Sequence, residues 1–330
     1  DIAKKMCAKG KGILAADEST GTMDKRLTSV GVECTDKNRL SFRETLFTSD
    51  AMKNYIGGVI LFDATIRERT SKGISIPELL KENNSVVGIK VDKGAKKLAN
   101  SPEETITEGL DGLRERLNEY YNLGARFTKW RAVYNIRKNY PSAQSIKSNA
   151  HALARYSALV QEANMVPIVE PEVLMDGDHD IDTCLKVTTD VLNECFNELV
   201  IQKVSLKGIV LKPNMVVPGF KSSKKVTSEE VAKKTLDCLK KNVPSDVPGI
   251  AFLSGGQSEQ EATNNLDAIN KINDTDFLIT YSFGRALQQS ALKTWAKEMS
   301  NTKAIHDVFN HRAKMNGLAS KGEWSQALEV

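Results

Sequence analysis

The chain has 330 residues, of which 40% are hydrophobic and 27% charged, fractions that exclude a disordered chain. A net charge of +4, spread along the sequence, argues against nucleic acid as a partner. No apolar run reaches the roughly 18 residues of a membrane span, and the length fits two domains of ~150 residues or one large α/β barrel.

The opening DIAKKMCAKGKG lacks the apolar core of a signal peptide and reads as the middle of a helix, so residues are expected to be missing at both ends. Short apolar, β-branched runs then recur. They predict strands over Gly12–Asp17, Ile56–Phe62, Val86–Asp92, Ala125–Val133, Met165–Val173, Leu206–Met215, Gly249–Gly256 and Asp276–Gly284. Each interval has room for a helix and two loops. Between the third and fourth strands, Ser101-Pro102-Glu103-Glu104 predicts a capping box with Pro at the first helical position. Ile106, Leu110, Leu113 and Leu117 continue that helix, and Gly124 closes it. Ile305, Val308 and Phe309 predict a further helix near the C-terminus.

The strand cores are near-continuous apolar runs, as in a parallel sheet buried on both faces. Eight strands alternating with helices predict a TIM (β/α)8 barrel with eight parallel strands and additional C-terminal helices, as one catalytic domain over residues 1–330. A doubly wound sheet is the alternative, but no G-x-G-x-x-G opens a helix after a strand. The five cysteines (Cys7, Cys34, Cys184, Cys195 and Cys238) are odd in number and irregularly spaced, so they read as buried thiols in a reducing, cytoplasmic protein. Lys221–Lys225 reads as a solvated loop, and Trp130 as core facing the helices.

In a TIM barrel the chemistry lies at the C-terminal ends of the strands. Charges interrupt the apolar runs there: Asp17, Lys90, Asp92, Lys129, Arg131, Glu170, Glu172 and Lys212. Period-2 alternation places Lys129 with Arg131, and Glu170 with Glu172, on single faces. Buried charges are costly, so such a set should be paired or functional. Three lysines in one mouth suggest amine chemistry. Only roughly one ordinary lysine in 2,500 is neutral at pH 7, and desolvation beside other cations raises that fraction. Lys212, ending the run Gly208–Leu211, is the best candidate for a Schiff-base amine, with Glu170, Glu172 and Asp17 as acid–base groups. The last two strands end in Ser254-Gly255-Gly256 and Ser282-Phe283-Gly284-Arg285, a pattern suited to holding a phosphate.

These segments resemble the class I fructose-1,6-bisphosphate aldolases. The matches are Gly10–Gly21, Gly57–Phe62, Val87–Gly94, Lys129–Arg131, Val166–Glu172, Leu211–Met215, Phe252–Ser258 and Ser282–Gln288, in order over the whole chain. The resemblance implies cleavage of fructose 1,6-bisphosphate to triose phosphates through a Schiff base on Lys212. It implies Glu170 as acid and base, Asp17 in the proton transfer of carbon–carbon cleavage, Lys129 placing charge near the nucleophile, and Glu172 orienting the lysines. Ser254, Gly255, Ser282, Gly284 and Arg285 resemble the 1-phosphate site; Ser19, Thr22, Lys90, Arg131 and Arg26 resemble the 6-phosphate side. It implies a cytoplasmic homotetramer with no metal or other cofactor, and a cytoskeletal or adhesin-tail partner as a second role. Two departures stand out: Phe283, where many members have Tyr, and the absence of the family's C-terminal tail with its terminal Tyr. Two other classes of protein are weighed against this reading. In a metal-dependent lyase, Asp176-Gly177-Asp178-His179-Asp180 would be the ligand loop; it reads instead as structural, since the amine supplies its own electron sink. The other is a non-catalytic scaffold.

Overall fold

The strand pattern closes on itself. In the computed structural model, which describes residues 1–330, the strands in chain order are β1 (Gly12–Ala16), β2 (Ile56–Leu61), β3 (Val86–Lys90), β4 (Ala95–Leu98), β5 (Ser101–Thr107), β6 (Phe127–Tyr134), β7 (Val166–Val173), β8 (Val210–Leu211), β9 (Gly249–Phe252) and β10 (Leu278–Phe283). Eight of them form a closed parallel barrel in the order β1-β10-β9-β8-β7-β6-β3-β2, while β4 and β5 make a separate antiparallel hairpin. Helices fill the intervals, and Arg285–Lys297 and Thr302–Ala319 follow the last strand. No helix is long and apolar enough to cross a membrane.

Two apolar layers hold the barrel. The larger lies between strands and helices and includes Trp130, as expected of a residue flanked by inward charges. The smaller fills the barrel axis with Ile13, Ala15, Ile60, Val86, Phe127, Ile168, Val210 and Ala251. The short helix Ile2–Met6 plugs the bottom through Ala3 and Met6, with Cys7 beside them. Close approach there demands small residues: a Cβ on Gly249 would sit 2.6 Å from Cys7 Sγ.

One predicted helix start is corrected. Ser101–Thr107 is strand β5, and the helix is Leu113–Asn122, capped by Gly112. Ser101 Oγ does donate to Glu104, at 2.8 Å, but from an extended backbone. Glu104 instead accepts from the backbone N–H of Ser142, which caps the helix Ala143–Glu162, at 2.8 Å. Long-range pairing with β4 and with that cap outweighs the local signal, and Thr105 and Thr107 suit a strand. Ile106 and Leu110 therefore lie outside the helix; Gly124, at φ +110°, follows its end as expected. The predicted Leu206–Met215 strand shrinks to Val210–Leu211, because Leu206–Gly208 turns as a 3-10 helix. Cys34 is half-exposed, and the other four cysteines are buried.

Alternation along each strand positions the mouth. Ala15, Phe127, Ile168 and Val210 point into the barrel axis. The residues two further on are Asp17, Lys129, Glu170 and Lys212, so all four side chains rise from the same inner wall.

Candidate active site

These side chains line a cavity of about 890 Å³ at the C-terminal ends of the strands, together with Ser19, Thr22, Arg26, Lys90, Asp92, Arg131, Glu172, Ser254, Gly255, Ser282, Gly284 and Arg285. Every site residue expected from the sequence is thus brought to one place. A smaller groove of about 540 Å³ runs over the outer helices Ile181–Ile201 and Ser228–Asn242, away from the strand ends.

The centre is an ion network built from two strands, β6 and β7, and the residues directly after two others, β1 and β8. Lys129 Nζ donates to Asp17 Oδ2 at 2.8 Å and lies 3.3 Å from Glu170 Oε2. Lys212 Nζ lies 3.3 Å from the other oxygen, Glu170 Oε1. The Lys212 backbone N–H still bonds Val169 O at 2.8 Å, which ties the residue to β7 although its own strand has ended. The side chains of Lys129, Glu170 and Lys212 are only 7%, 3% and 4% exposed, so these charges act in a low-dielectric setting. Glu170 Oε2 and Ser282 Oγ are buried without an aligned hydrogen-bond partner, and both border the cavity.

The two lysines titrate in opposite directions. Burial alone would favour a neutral Lys129, but Asp17, Glu170 and Asp92 overcome it and hold the ammonium above the ordinary lysine range. Burial also pushes Lys212 down. Glu170 opposes the shift, Lys129 reinforces it, and the Lys212 amine is left below the ordinary range. Burial would raise Asp17, but Lys129 and Lys212 prevail and set it at about 2. The site therefore holds one firm cation, one firm anion and one amine whose charged form burial disfavours.

Charged and Gly-rich loops flank this centre. On one side Gly255 takes φ +59°, and Arg285 Nη2 donates to Gly255 O at 3.0 Å, which joins the loops after β9 and β10. Arg285 opens the helix Arg285–Lys297, so its N-terminal N–H groups face the same loop. On the other side Ser19 caps the helix Thr20–Ser29, with its Oγ 3.1 Å from Thr22 Oγ1. Lys90 Nζ pairs with Asp92 Oδ1 at 2.8 Å, and Asp92 Oδ2 accepts from the Arg131 backbone N–H at 3.2 Å.

Two placements differ from expectation, and three residues go beyond it. Glu172 bonds Arg131 Nε, at 2.5 Å, and not a lysine; the carboxylate that faces both lysines is Glu170. The Arg131 pair satisfies Glu172 because both side chains rise from the same inner wall, with Glu172 registered against Val133 beside Arg131. Arg26, grouped with the Ser19 side, extends its guanidinium to 3.8 Å from where a Cβ on Gly284 would lie, and so reaches the opposite loop. Glu18, Arg43 and Gln288 were not singled out at all. Glu18 follows Asp17 in the strand-end motif, and that adjacency was the available signal. Phe283 is fully buried, packs against Tyr281 at 5.5 Å, and belongs to the layer beneath the helices, so its lack of a hydroxyl does not alter the cavity.

No group of three or more His, Cys, Asp or Glu side chains is arranged to hold a metal ion.

Residues 1–329 match the family profile described as glycolytic, fructose-bisphosphate aldolase class I. A probable class 1 fructose-bisphosphate aldolase from Xanthomonas campestris is 50% identical over 325 residues, 98% of this chain and 97% of that protein. The muscle-type fructose-bisphosphate aldolase of Lethenteron camtschaticum is 50% identical over 98% of this chain and 90% of its own length. Cytoplasmic isozyme 1 of Pisum sativum shows the same identity and the same coverage. Among solved structures, fructose-bisphosphate aldolase from Plasmodium falciparum, in complex with TRAP and a small-molecule inhibitor, superposes with a TM-score of 0.97 at 44% identity over 98% of this chain and 94% of that one.

Proposed function

The chain belongs to the class I fructose-bisphosphate aldolases, carbon–carbon lyases of glycolysis that interconvert fructose 1,6-bisphosphate and two triose phosphates, and from that premise we propose which residues carry the reaction. Lys212 is the nucleophile. The observation that carries this reading is the opposite titration of two lysines facing one carboxylate, which leaves Lys212 as the amine nearest neutrality.

The neutral Lys212 amine adds to the substrate ketone carbon. Glu170, within 3.3 Å of Nζ, takes the ammonium proton that frees this amine and, once the amine has added, passes it to the departing hydroxyl; water leaves, and an iminium forms. The iminium draws the electron pair of the neighbouring carbon–carbon bond as that bond breaks. Asp17, held as a carboxylate, takes the proton of the hydroxyl that becomes the aldehyde. Lys129 stays cationic and supports the anionic partners on both sides of it. Glu170 Oε2, ion-paired with Lys129 but without an aligned hydrogen bond, and Ser282 Oγ supply hydrogen-bonding capacity for substrate. Ser254, Gly255, Gly284 and Arg285 hold one phosphate; Ser19, Thr22, Lys90 and Arg131 face the other, and Arg26 stands between the loops. Glu172 positions Arg131.

We assign residues 1–330 to one catalytic domain, working without a metal, as a homotetramer in the cytoplasm. The cytoplasmic pea relative supports the compartment, and the class I profile supports the metal-free chemistry. A partner-binding role is a second reading, favoured by the TRAP complex of the Plasmodium neighbour.

Borohydride trapping with dihydroxyacetone phosphate, followed by peptide mass mapping, tests the assignment. An adduct on Lys212 that disappears in Lys212→Ala is expected, and an adduct on any other lysine would overturn it.

A further inference from the structure

The pocket-facing guanidinium of Arg26 is held by a buried carboxylate at the edge of the same cavity, Glu18, which pairs with none of Lys90, Lys129 or Lys212. Glu18 is 7% exposed and sits where four elements meet. Its Oε1 accepts from Arg26 Nη1 on the helix Thr20–Ser29. The same oxygen accepts from Gln288 Nε2 on the helix Arg285–Lys297 at 3.2 Å. Its Oε2 pairs with Arg43 Nη2 on the helix Asp36–Phe47 at 3.4 Å. Arg43 also donates to the Glu18 carbonyl at 2.9 Å and to Thr65 Oγ1 at 2.8 Å, and Gln288 donates to Ala15 O at 2.8 Å.

Five of these six bonds reach the backbone at the end of β1 or the side chain directly after Asp17. A buried carboxylate with an arginine on each side is neutralised and fixed, and bidentate or shared guanidinium contacts set direction as well as energy. Without it, Arg26 would have no anchor between the Ser19 loop and the Gly284 loop.

We propose that Glu18 is a positioning residue: its carboxylate, locked by Arg43 and Gln288, aims the Arg26 guanidinium into the space between the two phosphate-holding loops. Glu18 acts through Arg26, because both of its carboxylate oxygens are already taken by Arg26, Gln288 and Arg43. The inference rests on the reading of Arg26 as a substrate contact.

The test is a double-mutant cycle on fructose 1,6-bisphosphate cleavage. Arg26→Ala alone should raise KM roughly tenfold or more, as expected for loss of a charged phosphate contact. Glu18→Gln should raise KM by a similar factor and leave kcat within about threefold. Added to Arg26→Ala, it should change KM by less than about twofold, because its effect runs through the arginine already removed. A merely structural Glu18 would lower the denaturation midpoint and kcat together and would add its effect in the Arg26→Ala background; that result overturns the proposal. An unchanged KM in Glu18→Gln also overturns it. If Arg26→Ala itself leaves KM unchanged, the reading of Arg26 fails first, and the proposal with it. Should Glu18→Gln not fold, Glu18→Asp, which keeps the charge but withdraws it from Arg26, runs the same cycle.

Discussion

Lys129 and Lys212 face the two oxygens of a single carboxylate, Glu170, each at 3.3 Å, yet one is held charged and the other is driven toward neutrality. The asymmetry comes from Asp17, which bonds Lys129 directly at 2.8 Å but acts on Lys212 only through space, where Lys129 adds its repulsion to burial. The groups titrate as a coupled set, so a change at one moves the others.

Removing the Lys129 charge should therefore be felt at Lys212. In Lys129→Met, Lys212 loses a cation that pushes it down, and Asp17 and Glu170 are left to pull it up. Both changes raise its pKa. The pH profile of borohydride trapping should move to higher pH by roughly one unit or more, and trapping at pH 7 should slow about tenfold. KM should change far less than kcat. A profile that stays in place or moves to lower pH would contradict the coupling.

Asp17 makes a prediction about acid stability as well as rate. Its folded pKa of about 2 lies below the ordinary ~3.9. A depressed carboxylate stabilises the fold above its unfolded pKa, and that stabilisation is lost as pH falls through the folded value. The amount is on the order of 2 kcal/mol. Denaturation curves for the wild type should lose about that much more between pH 4 and pH 2 than curves for Asp17→Asn. The same variant should still form the Lys212 adduct while cleavage falls ~10²–10⁴-fold, the usual range for a lost proton-transfer group. Loss of the adduct itself would move Asp17 to an earlier step.

Legibility followed the range of each signal. The barrel and its mouth were readable because period-2 alternation is local: Phe127 and Ile168 point inward, so Lys129 and Glu170 must as well. The capping box at Ser101 was misleading because its outcome depended on Ser142 and β4, partners that spacing does not reveal. Adjacency to Asp17 marks Glu18 as near the site, but its contacts are hidden for the same reason. Its partners Arg43 and Gln288 lie 25 and 270 residues away in sequence. Which carboxylate faces both lysines also depended on side-chain packing at the mouth, where Arg131 claims Glu172.

Arg285 has two tasks. It opens the helix at the Gly284 loop, and its Nη2 holds Gly255 O at 3.0 Å. Arg285→Ala should raise KM for fructose 1,6-bisphosphate ~10–100-fold with a smaller effect on kcat, as expected for a phosphate contact. Arg285→Lys should recover only part of the loss, because an ammonium cannot bind Gly255 O and a phosphate with one planar fork. Full recovery with Lys would mean that charge alone matters there.

The floor of the barrel should also reach the chemistry. Gly88 on β3 faces the axis, and a Cβ there would lie 2.2 Å from the ring of Phe127, which is fully buried. The ring has no free space below it, since Met6 and the helix Ile2–Met6 close that end. Gly88→Ala should therefore destabilise the fold by roughly 1–3 kcal/mol, the usual cost of overpacking. Lys129 stands two residues above Phe127 on the same inner wall, so a displaced ring presses on the lysine that bonds Asp17. The variant should consequently lose kcat as well as stability, and Phe127→Leu in the same chain should restore part of both. Lost stability with unchanged kcat would show that the apolar floor and the charged mouth are mechanically independent.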